Sequence, residues 1–326
     1  MRIDAREVLD QFRLLDIRWA LLGLVVFTGS KVLHAWRWWV FLGRREVPLV
    51  PLAGIFLLSN MANSLLPLRA GDLLRVEVPN HRYGVPRSTL VSSVFVVESV
   101  LDLFAFAILL VTALLLSDLP VAMRPLVGFV GGAAVVLMGL MVAMSRSHDS
   151  VVPVASRLLR WLPDRAWSWV ADTLPAFVDG MSSLRTNREA VRVVVVSLVA
   201  WLAEVAVYWI LAHAFGLSLS VHQALILMIA ANLVVSLPLT PWSVGPYELV
   251  VTETLVLIGA DRTEGAAFAL GSHLMLQAWI AVTGVLAMWA LQLRPRDLLP
   301  GRHPDGPEAA LEEAGAAEDL PGHDVG

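Results

Sequence analysis

The chain has 326 residues, of which 57% are hydrophobic and 16% are charged, and its mean hydropathy is +0.70. A water-soluble domain could not bury so much apolar surface in one core, so this composition excludes a soluble globular protein and indicates a membrane protein. The formal net charge of −4 arises at the C-terminus, because the last 33 residues hold eight acidic side chains against three arginines.

Eight apolar stretches are the candidate membrane segments. They lie at about 19–42, 49–66, 89–116, 125–144, 193–215, 222–237, 247–259 and 266–291. Most are long enough to cross roughly 30 Å of hydrocarbon as helices, although 222–237 and 247–259 are short. We predict an all-α, polytopic integral membrane protein with about eight helical segments, some of them broken or re-entrant. No small-residue cleavage site follows the first stretch, so we interpret it as a retained anchor.

The predicted order of regions is a short N-terminal segment, two membrane halves separated by a loop, and a tail. The regions are a cytoplasmic segment at 1–18, a first membrane half at 19–144, a cytoplasmic loop at 145–192, a second membrane half at 193–293 and a disordered acidic tail at 294–326. The loop mixes tryptophans with arginines, which is typical of a helix lying flat on an anionic leaflet. A solvated connector is the alternative.

Arginines indicate the orientation, because Lys and Arg that flank short loops stay mainly on the cytoplasmic side. With eight crossings, eighteen arginines fall on segments assigned to the cytoplasm and four on the opposite face. We therefore predict a multi-pass protein of the cell membrane with both termini in the cytoplasm. We interpret Lys31, His34 and Arg37, inside the first stretch, as interfacial side chains that reach toward water.

Two proline-marked breaks interrupt the apolar pattern, NSLLPLRAGDLLR at 63–75 and VSLPLTPWSVGPYE at 235–248. Pro238 and Pro241 remove backbone donors, and Gly245 permits unusual torsions, so the second break should not continue as helix. Non-helical backbone at membrane depth must be buried in protein or line a wet cavity. We therefore favour a re-entrant segment at 222–259, whose next helix points Glu248 into that cavity. An ordinary cytoplasmic turn is the alternative.

The two breaks also favour a two-fold internal repeat. Residues 66–68 and 237–239 both read Leu-Pro-Leu, and a glycine and then an acid follow in each case. Transporters often arise by duplication of this kind, and their broken helices meet near the substrate.

Acidic side chains in the predicted spans are candidate functional residues, because a charge at the bilayer centre costs on the order of 2.5–3.5 kcal/mol and must face protein or water. Glu98 and Asp102 are four residues apart, on one helical face. Glu204 lies in another span. His273 shares a face with Gln277 and can pair with a carboxylate. A buried ion pair that only locks helices together is the alternative reading.

Two arginines follow the first break. Arg69 and Arg75 bracket Gly71 and Asp72, and a guanidinium binds phosphate in bidentate geometry. We predict a phosphate contact here, although cytoplasmic loops also carry arginine for topology alone.

These motifs together resemble the flippase-like membrane family related to the transmembrane part of lysylphosphatidylglycerol synthases, the multiple peptide resistance factors. The resemblance covers roughly residues 15–293. It rests on five elements: Arg37-Trp38, LPLRAGDLLR, ESVLD, Glu204 and PLTPWSVGPYE. The last corresponds to the family's Pro-x-Thr-Pro-Gly-Gly-x-Gly-x-x-Glu and adds Thr240 to the candidate residues. Trp242-Ser243 stands where the family has Gly-Gly, Asp72 stands for a Glu, Ser99 for an Arg, and His273 for a basic residue.

The resemblance implies movement of lipids or lipid-linked intermediates between leaflets. The partners would be membrane lipids, anionic or polyprenyl-linked, with an associated membrane enzyme as a further candidate. The expected substrate-binding residues are Arg69, Gly71, Asp72, Arg75, Glu98, Asp102, Glu204, Pro238, Thr240, Pro241, Gly245, Glu248 and His273. A small-solute or ion transporter would use the same carboxylates, and a non-catalytic subunit that docks a lipid-modifying enzyme or a glycosyltransferase would use the loop.

Enzymatic activity is not expected. The chain has no cysteine, and it lacks the phosphate-binding glycine loop, HExxH, GxSxG and the dinucleotide fingerprint. We therefore expect no metal, no cofactor and no nucleic-acid partner.

Overall fold

The computed structural model describes residues 12–13, 15–43, 47–96, 101–116, 187–236 and 240–293, together with isolated positions between 132 and 186. These residues form nine α-helices and two short 3-10 turns, and no strand occurs among them, which confirms the all-α prediction. The helices are α1 Ile17–Leu42, α2 Leu49–Leu65, α3 Leu74–Tyr83, α4 Arg87–Phe95, α5 Asp102–Leu115, α6 Asn187–Ala214, α7 Val221–Ser236, α8 Pro246–Leu257 and α9 Arg262–Ala290. The predicted tail at 294–326 and nearly all of the predicted span at 125–144 and loop at 145–192 lie outside these residues.

Three helices, α1, α6 and α9, are long and apolar enough to cross a membrane. Local signals set their ends. Asp16 accepts a hydrogen bond from the backbone N–H of Arg18 at 2.9 Å and caps α1, and Gly43 ends α1 in the left-handed conformation at φ 63°. Asp261 caps α9 in the same way. The hydrogen bond from the backbone N–H of Thr263 lowers the pKa of the Asp261 carboxyl below its ordinary value.

Helices α1 and α6 pack antiparallel along their whole length. The backbone N–H of Asp16 donates to the carbonyl oxygen of Ala214 at 2.9 Å, and Gly23 lies so close to Leu211 that an added Cβ would be 2.6 Å from that side chain. This pair defines two ends of the bundle, which we call the Asp16 end and the Leu42 end. Helix α9 runs parallel to α1, because Gly271 lies beside Phe215 at the Asp16 end, Trp279 donates to Thr28 at 2.7 Å, and Leu291 lies beside Gly54 near the Leu42 end.

The first break produces a hairpin that enters from the Leu42 end, residues 49–83. Helix α2 has 17 residues, and a 3-10 turn at Pro67–Leu73 reverses the chain into α3. An added Cβ on Gly71 would lie 2.3 Å from the carbonyl oxygen of Ser59, so only glycine allows the turn to approach α2 this closely. Arg82 then donates to the carbonyl of Leu291, back at the Leu42 end. Residues 49–66 are therefore one half of a helical hairpin that begins and ends at the Leu42 end, whereas the sequence predicted a separate crossing segment.

The second break produces a hairpin that enters from the Asp16 end, residues 221–257. Helix α7 descends from that end and α8 returns to it, because Gln223 near the start of α7 donates to the carbonyl of Ile258 at 3.1 Å. With 16 and 12 residues, the two helices are about 24 and 18 Å long, shorter than the hydrocarbon core. Residues 221–257 therefore form a hairpin of two short helices, and their re-entrant placement in a membrane stays a prediction. Pro238 lies outside the described residues.

The two halves have inverted order. In the first, α1 leads to a hairpin from the Leu42 end and then to α4 and α5. In the second, α6 runs opposite to α1 and leads to a hairpin from the Asp16 end and then to α9. The order of the described helices is similar to the inverted-topology repeats of many transporters, and the two-fold repeat stays a prediction.

Within the predicted span at 89–116, the structure describes α4 and α5. Trp38 donates to Ser93 of α4 at 3.0 Å, near the Leu42 end. His222 contacts the carbonyl of Ala113 in α5 at 2.9 Å, at the Asp16 end. Residues 97–100, which include Glu98, lie outside the described residues, so the predicted shared face of Glu98 and Asp102 stays a prediction.

The described residues near the two ends of the chain lie at opposite ends of the bundle. Phe12 packs on Phe215 at the Asp16 end, with 5.9 Å between ring centroids, whereas Leu291 at the end of α9 lies at the Leu42 end, where Arg82 donates to its carbonyl. The prediction that both termini are cytoplasmic stays a prediction.

We predict that Gly71→Ala destabilises the protein by about 1–3 kcal/mol, because the new methyl group overlaps the α2 backbone. Thermal unfolding in detergent measures this. Gly29→Ala is the matched control, since no atom lies within 4 Å of an added Cβ there, and it should leave stability unchanged or slightly raised. Equal stability of the two variants would contradict the tight turn.

Single-cysteine labelling tests the topology, and the absence of native cysteine makes every signal unambiguous. We expect Pro48→Cys and His81→Cys to react with an impermeant maleimide from the same side of sealed vesicles, because both flank the first hairpin. Ser218→Cys should react only from the other side. Labelling of positions 48 and 81 from opposite sides would restore the simple alternation of spans.

Candidate functional site

A cavity of about 690 Å³ lies where the tips of the two hairpins approach each other. Both tips contact Gln277, which is 15 residues from the start of α9 and 13 from its end, so the cavity is at mid-depth. Three charged side chains line it, Lys31, Arg69 and Asp102. The neutral polar lining residues include Asn60, Asn63, Ser64, Asn232, Ser236, Thr240 and Gln277, and the aromatic ones are Phe56, Phe106, Trp201 and Trp242.

Glu204 anchors the first charged cluster beside the cavity. Its carboxylate, only 3% exposed, accepts from Lys31 Nζ at 2.5 Å and from Ser30 Oγ at 3.4 Å. His34 Nε2 lies 3.5 Å from the same carboxylate oxygen. Lys31 and His34 reach the cavity, whereas Glu204 lies behind them. A buried carboxylate is tolerated here because a cation and a hydroxyl solvate it.

Asp102 is the centre of the second cluster. Arg37 binds its two oxygens through both terminal nitrogens, and Trp201 Nε1 donates to it at 2.8 Å. Arg37 is 0% exposed, so its interpretation as an interfacial side chain is wrong. It is a buried counter-charge that holds an acid on the cavity wall, and the pair joins α1 to α5.

Asp72 organises the tip of the first hairpin. It accepts from Asn63 Nδ2 at 2.9 Å and from Ser59 Oγ at 3.3 Å, both on α2. Arg69 Nε donates to its other oxygen at 3.1 Å. Arg69 is half-exposed and lines the cavity, and its backbone is left-handed at φ 55°.

Arg75 is placed differently from its partner in the predicted phosphate site. Its guanidinium carbon lies 4.5 Å from the ring of Trp38 and 4.9 Å from that of Phe56, and the side chain is 2% exposed. One terminal nitrogen lies 3.8 Å from Asp72. Arg75 thus packs α3 against α1 and α2 through cation–π contacts, and it is absent from the cavity lining.

Glu248 and His273 pair beneath the tip of the second hairpin. Glu248 accepts from the backbone N–H of Gly245 at 2.6 Å and caps α8, and His273 Nδ1 lies 2.6 Å from its other oxygen. His273 also stacks on Tyr247, with ring centroids 4.2 Å apart. Its Nε2 lies 3.3 Å from Gln277 Nε2, which confirms the predicted shared face.

The tip of the second hairpin is a strained turn. Trp242 and Ser243 follow Pro241 and have φ 57° and 56°, in the left-handed region that non-glycine residues rarely adopt. These are the two positions where the resemblance leads one to expect glycines. Thr240 Oγ1 donates to the carbonyl of Val244 at 2.9 Å and helps to close the turn.

The predicted site residues therefore fall into three groups. Arg69, Asp102 and Thr240 line the cavity directly. Gly71, Asp72, Glu204, Pro241, Gly245, Glu248 and His273 shape or support the elements around it. Arg75 packs away from it, and Glu98 and Pro238 lie outside the described residues.

Sequence reasoning missed part of the lining. Lys31 and His34 were assigned to the interface, and Asn60, Asn63 and Ser64 received no role. The last three recur at helical spacing on one face of an otherwise apolar segment, which indicates a polar stripe facing protein or water. Among the described residues no group of three or more acidic, histidine or cysteine side chains could hold a metal ion.

Residues 1–296 match the family described as the lysylphosphatidylglycerol synthase TM region. The chain belongs to this family. The chain is also similar to Glycosyltransferase AglD of Haloferax volcanii, with 27% identical residues over 276 positions. The match covers 74% of this chain and 43% of the relative, so the chain spans less than half of that protein's length. No solved structure gives a significant match. The family and the long apolar helices together indicate that this protein is a membrane protein related to lipids.

We predict that the Arg37–Asp102 pair of this family member behaves as one unit in stability. Asp102→Leu alone leaves the buried Arg37 without its carboxylate and should cost about 3–5 kcal/mol, whereas the double variant Arg37→Met/Asp102→Leu should recover more than half of the loss. Unfolding in detergent gives the coupling energy. Glu253→Gln is the control, because its pair with Arg262 is exposed to solvent and should contribute little to stability. Additive losses would contradict the coupling.

Proposed function

We propose that this protein moves a lipid with an anionic headgroup between the two leaflets. The headgroup passes through the polar cavity while the hydrocarbon chains stay in the bilayer. The observation that carries the proposal is the place of the cavity, at mid-depth, where hairpins from opposite ends meet. A polar chamber in the middle of an apolar bundle has a cost in folding free energy, and transport is the function that such a chamber serves in inverted-repeat membrane proteins.

Arg69 is the proposed phosphate contact. It is 46% exposed and reaches the cavity from the tip of the first hairpin, where Asp72 orients it through Nε. A guanidinium has five N–H donors, so the Nε contact with Asp72 is compatible with a bidentate contact to phosphate through the terminal nitrogens. Arg75, which was predicted to share this role, is buried in aromatic contacts and is not part of the proposed site.

The hairpins supply a plausible gate. Ser64 at the first tip donates to Gln277 Oε1 at 3.2 Å, and Gln277 Nε2 donates to the carbonyl of Trp242 at the second tip at 3.3 Å. One amide on α9 therefore holds both tips over the cavity. Release of either hydrogen bond frees one hairpin to open the cavity toward its own side, which is the geometry required for alternating access.

We propose transport rather than catalysis. The polar groups of the cavity are paired charges, amides and hydroxyls, and no described constellation there joins a nucleophile to a general base. Docking of a separate lipid-modifying enzyme is a second candidate role, and it is supported only by the similarity to a glycosyltransferase. A small-solute transporter would use the same chamber.

Leaflet-resolved transport of a fluorescent anionic phospholipid in proteoliposomes tests the proposal. We expect Arg69→Ala to lower the transport rate by about tenfold or more, because a charge-assisted phosphate contact is lost. Arg69→Lys should retain part of the rate, since it keeps the charge and loses the bidentate geometry.

Arg262→Ala is the matched control. Arg262 is 39% exposed, similar to Arg69, but pairs with Glu253 away from the cavity. It should transport lipid at the wild-type rate. A wild-type rate for Arg69→Ala would remove the phosphate contact, and solute uptake without lipid movement by the wild-type protein would replace the lipid substrate with a small solute.

A further inference from the structure

Backbone strain is concentrated at the cavity. Four non-glycine residues in the described part of the chain have positive φ, namely Arg69, Trp242, Ser243 and Gln292. Three of them line the cavity, and only Gln292 lies elsewhere, just after α9. A left-handed conformation is unfavourable for any residue with a Cβ, and it persists where the side chain is needed or the surroundings enforce it.

The side chain of Trp242 makes little packing contact that could offset its backbone strain. Its side chain is 42% exposed, whereas the neighbouring Ser243 is buried at 8%. The hydrogen bond from Gln277 goes to the carbonyl of Trp242 and any residue could accept it. The turn therefore needs the backbone of residue 242 but not its indole, and the indole lies on the cavity wall.

The other polar residues that line the cavity are paired charges or neutral groups. Each charged lining residue already has a counter-charge, since Lys31 contacts Glu204, Asp102 contacts Arg37 and Arg69 contacts Asp72. Between them lie carboxamides and hydroxyls that both donate and accept hydrogen bonds. An indole face beside such groups fits a sugar ring, whose C–H face stacks on an aromatic surface while its hydroxyls bond to amides.

We propose that Trp242 is a specificity-determining residue and that the headgroup it contacts is a sugar attached to the lipid phosphate. This inference rests on the proposed lipid transport. Arg69 on the first hairpin contacts the phosphate, and Trp242 on the second contacts the sugar, so the substrate spans the two tips. A headgroup with a primary amine is the competing occupant, because a cation also binds an indole face.

Transport of three labelled lipids in proteoliposomes distinguishes a sugar headgroup from an amine headgroup. Two of the lipids carry one phosphodiester charge, and the third carries a matched amine. They are a short polyprenyl phosphate that carries a hexose, the same lipid with a methyl group in place of the hexose, and a phospholipid with an amine headgroup. We expect wild-type protein to move the hexosyl lipid fastest. Trp242→Ala should lower that rate by roughly five- to tenfold and change the methyl lipid by less than about twofold.

Stability measurements separate a substrate contact from a structural one. Trp242→Gly and Gln292→Gly both remove left-handed strain, so each should raise the midpoint of thermal unfolding by roughly 2 °C. Gln292→Gly should keep wild-type transport, whereas Trp242→Gly should lose hexosyl-lipid transport as Trp242→Ala does. Destabilisation by Trp242→Gly alone would make Trp242 a packing residue and overturn the proposal.

The failures are distinguishable. Equal transport of the hexosyl and methyl lipids, with no effect of Trp242→Ala, overturns the sugar proposal and leaves lipid transport intact. Preference for the amine lipid, lost in Trp242→Ala, also overturns it in favour of a cationic headgroup. If the wild-type protein moves none of the three lipids, the proposed function itself fails and this inference fails with it.

Discussion

Every backbone N–H and C=O within the hydrocarbon core must find a partner inside the protein, and this constraint governs the whole structure. The chain interrupts its helices twice at mid-depth, near Pro67 and between Ser236 and Pro246. Each interruption is tolerated because polar side chains satisfy it. Asp72 connects the first turn to α2. In the second turn, Glu248 accepts a hydrogen bond from the backbone and Thr240 donates one to it. The spanning helices then enclose both turns, and the space between them becomes the cavity.

The buried charges follow from the same constraint. A lone carboxylate at this depth is strongly unfavourable, and each described one near the cavity has a cation within contact distance. The pairs also connect elements that are far apart in sequence, since Lys31–Glu204 joins α1 to α6 and Arg37–Asp102 joins α1 to α5. Such pairs add little net stability compared with apolar packing, but they fix the register in which the helices pack. In this protein that register decides which polar groups face the cavity.

The sequence predicts the class and the breaks well, because apolar length and proline position are local properties. It places Arg69, Asp102 and Thr240 correctly in one region. It fails for the first hairpin, since a 17-residue apolar helix such as α2 looks like a span when read alone. Only the contact of Gly71 with Ser59 and the return of Arg82 to Leu291 show that the chain turns back. The direction in which α3 returns and the burial of Arg37 both depend on that long-range information.

The two tips are mechanically dependent on each other through one side chain. Gln277 gives its carbonyl oxygen to Ser64 on the first hairpin and its amide N–H to Trp242 on the second, and His273 one turn earlier joins it to Glu248. A carboxamide can hold both tips at once only while it keeps a single orientation. The two hairpins, which lie far apart in the sequence, are therefore joined through a single side chain of α9 at the level of the cavity.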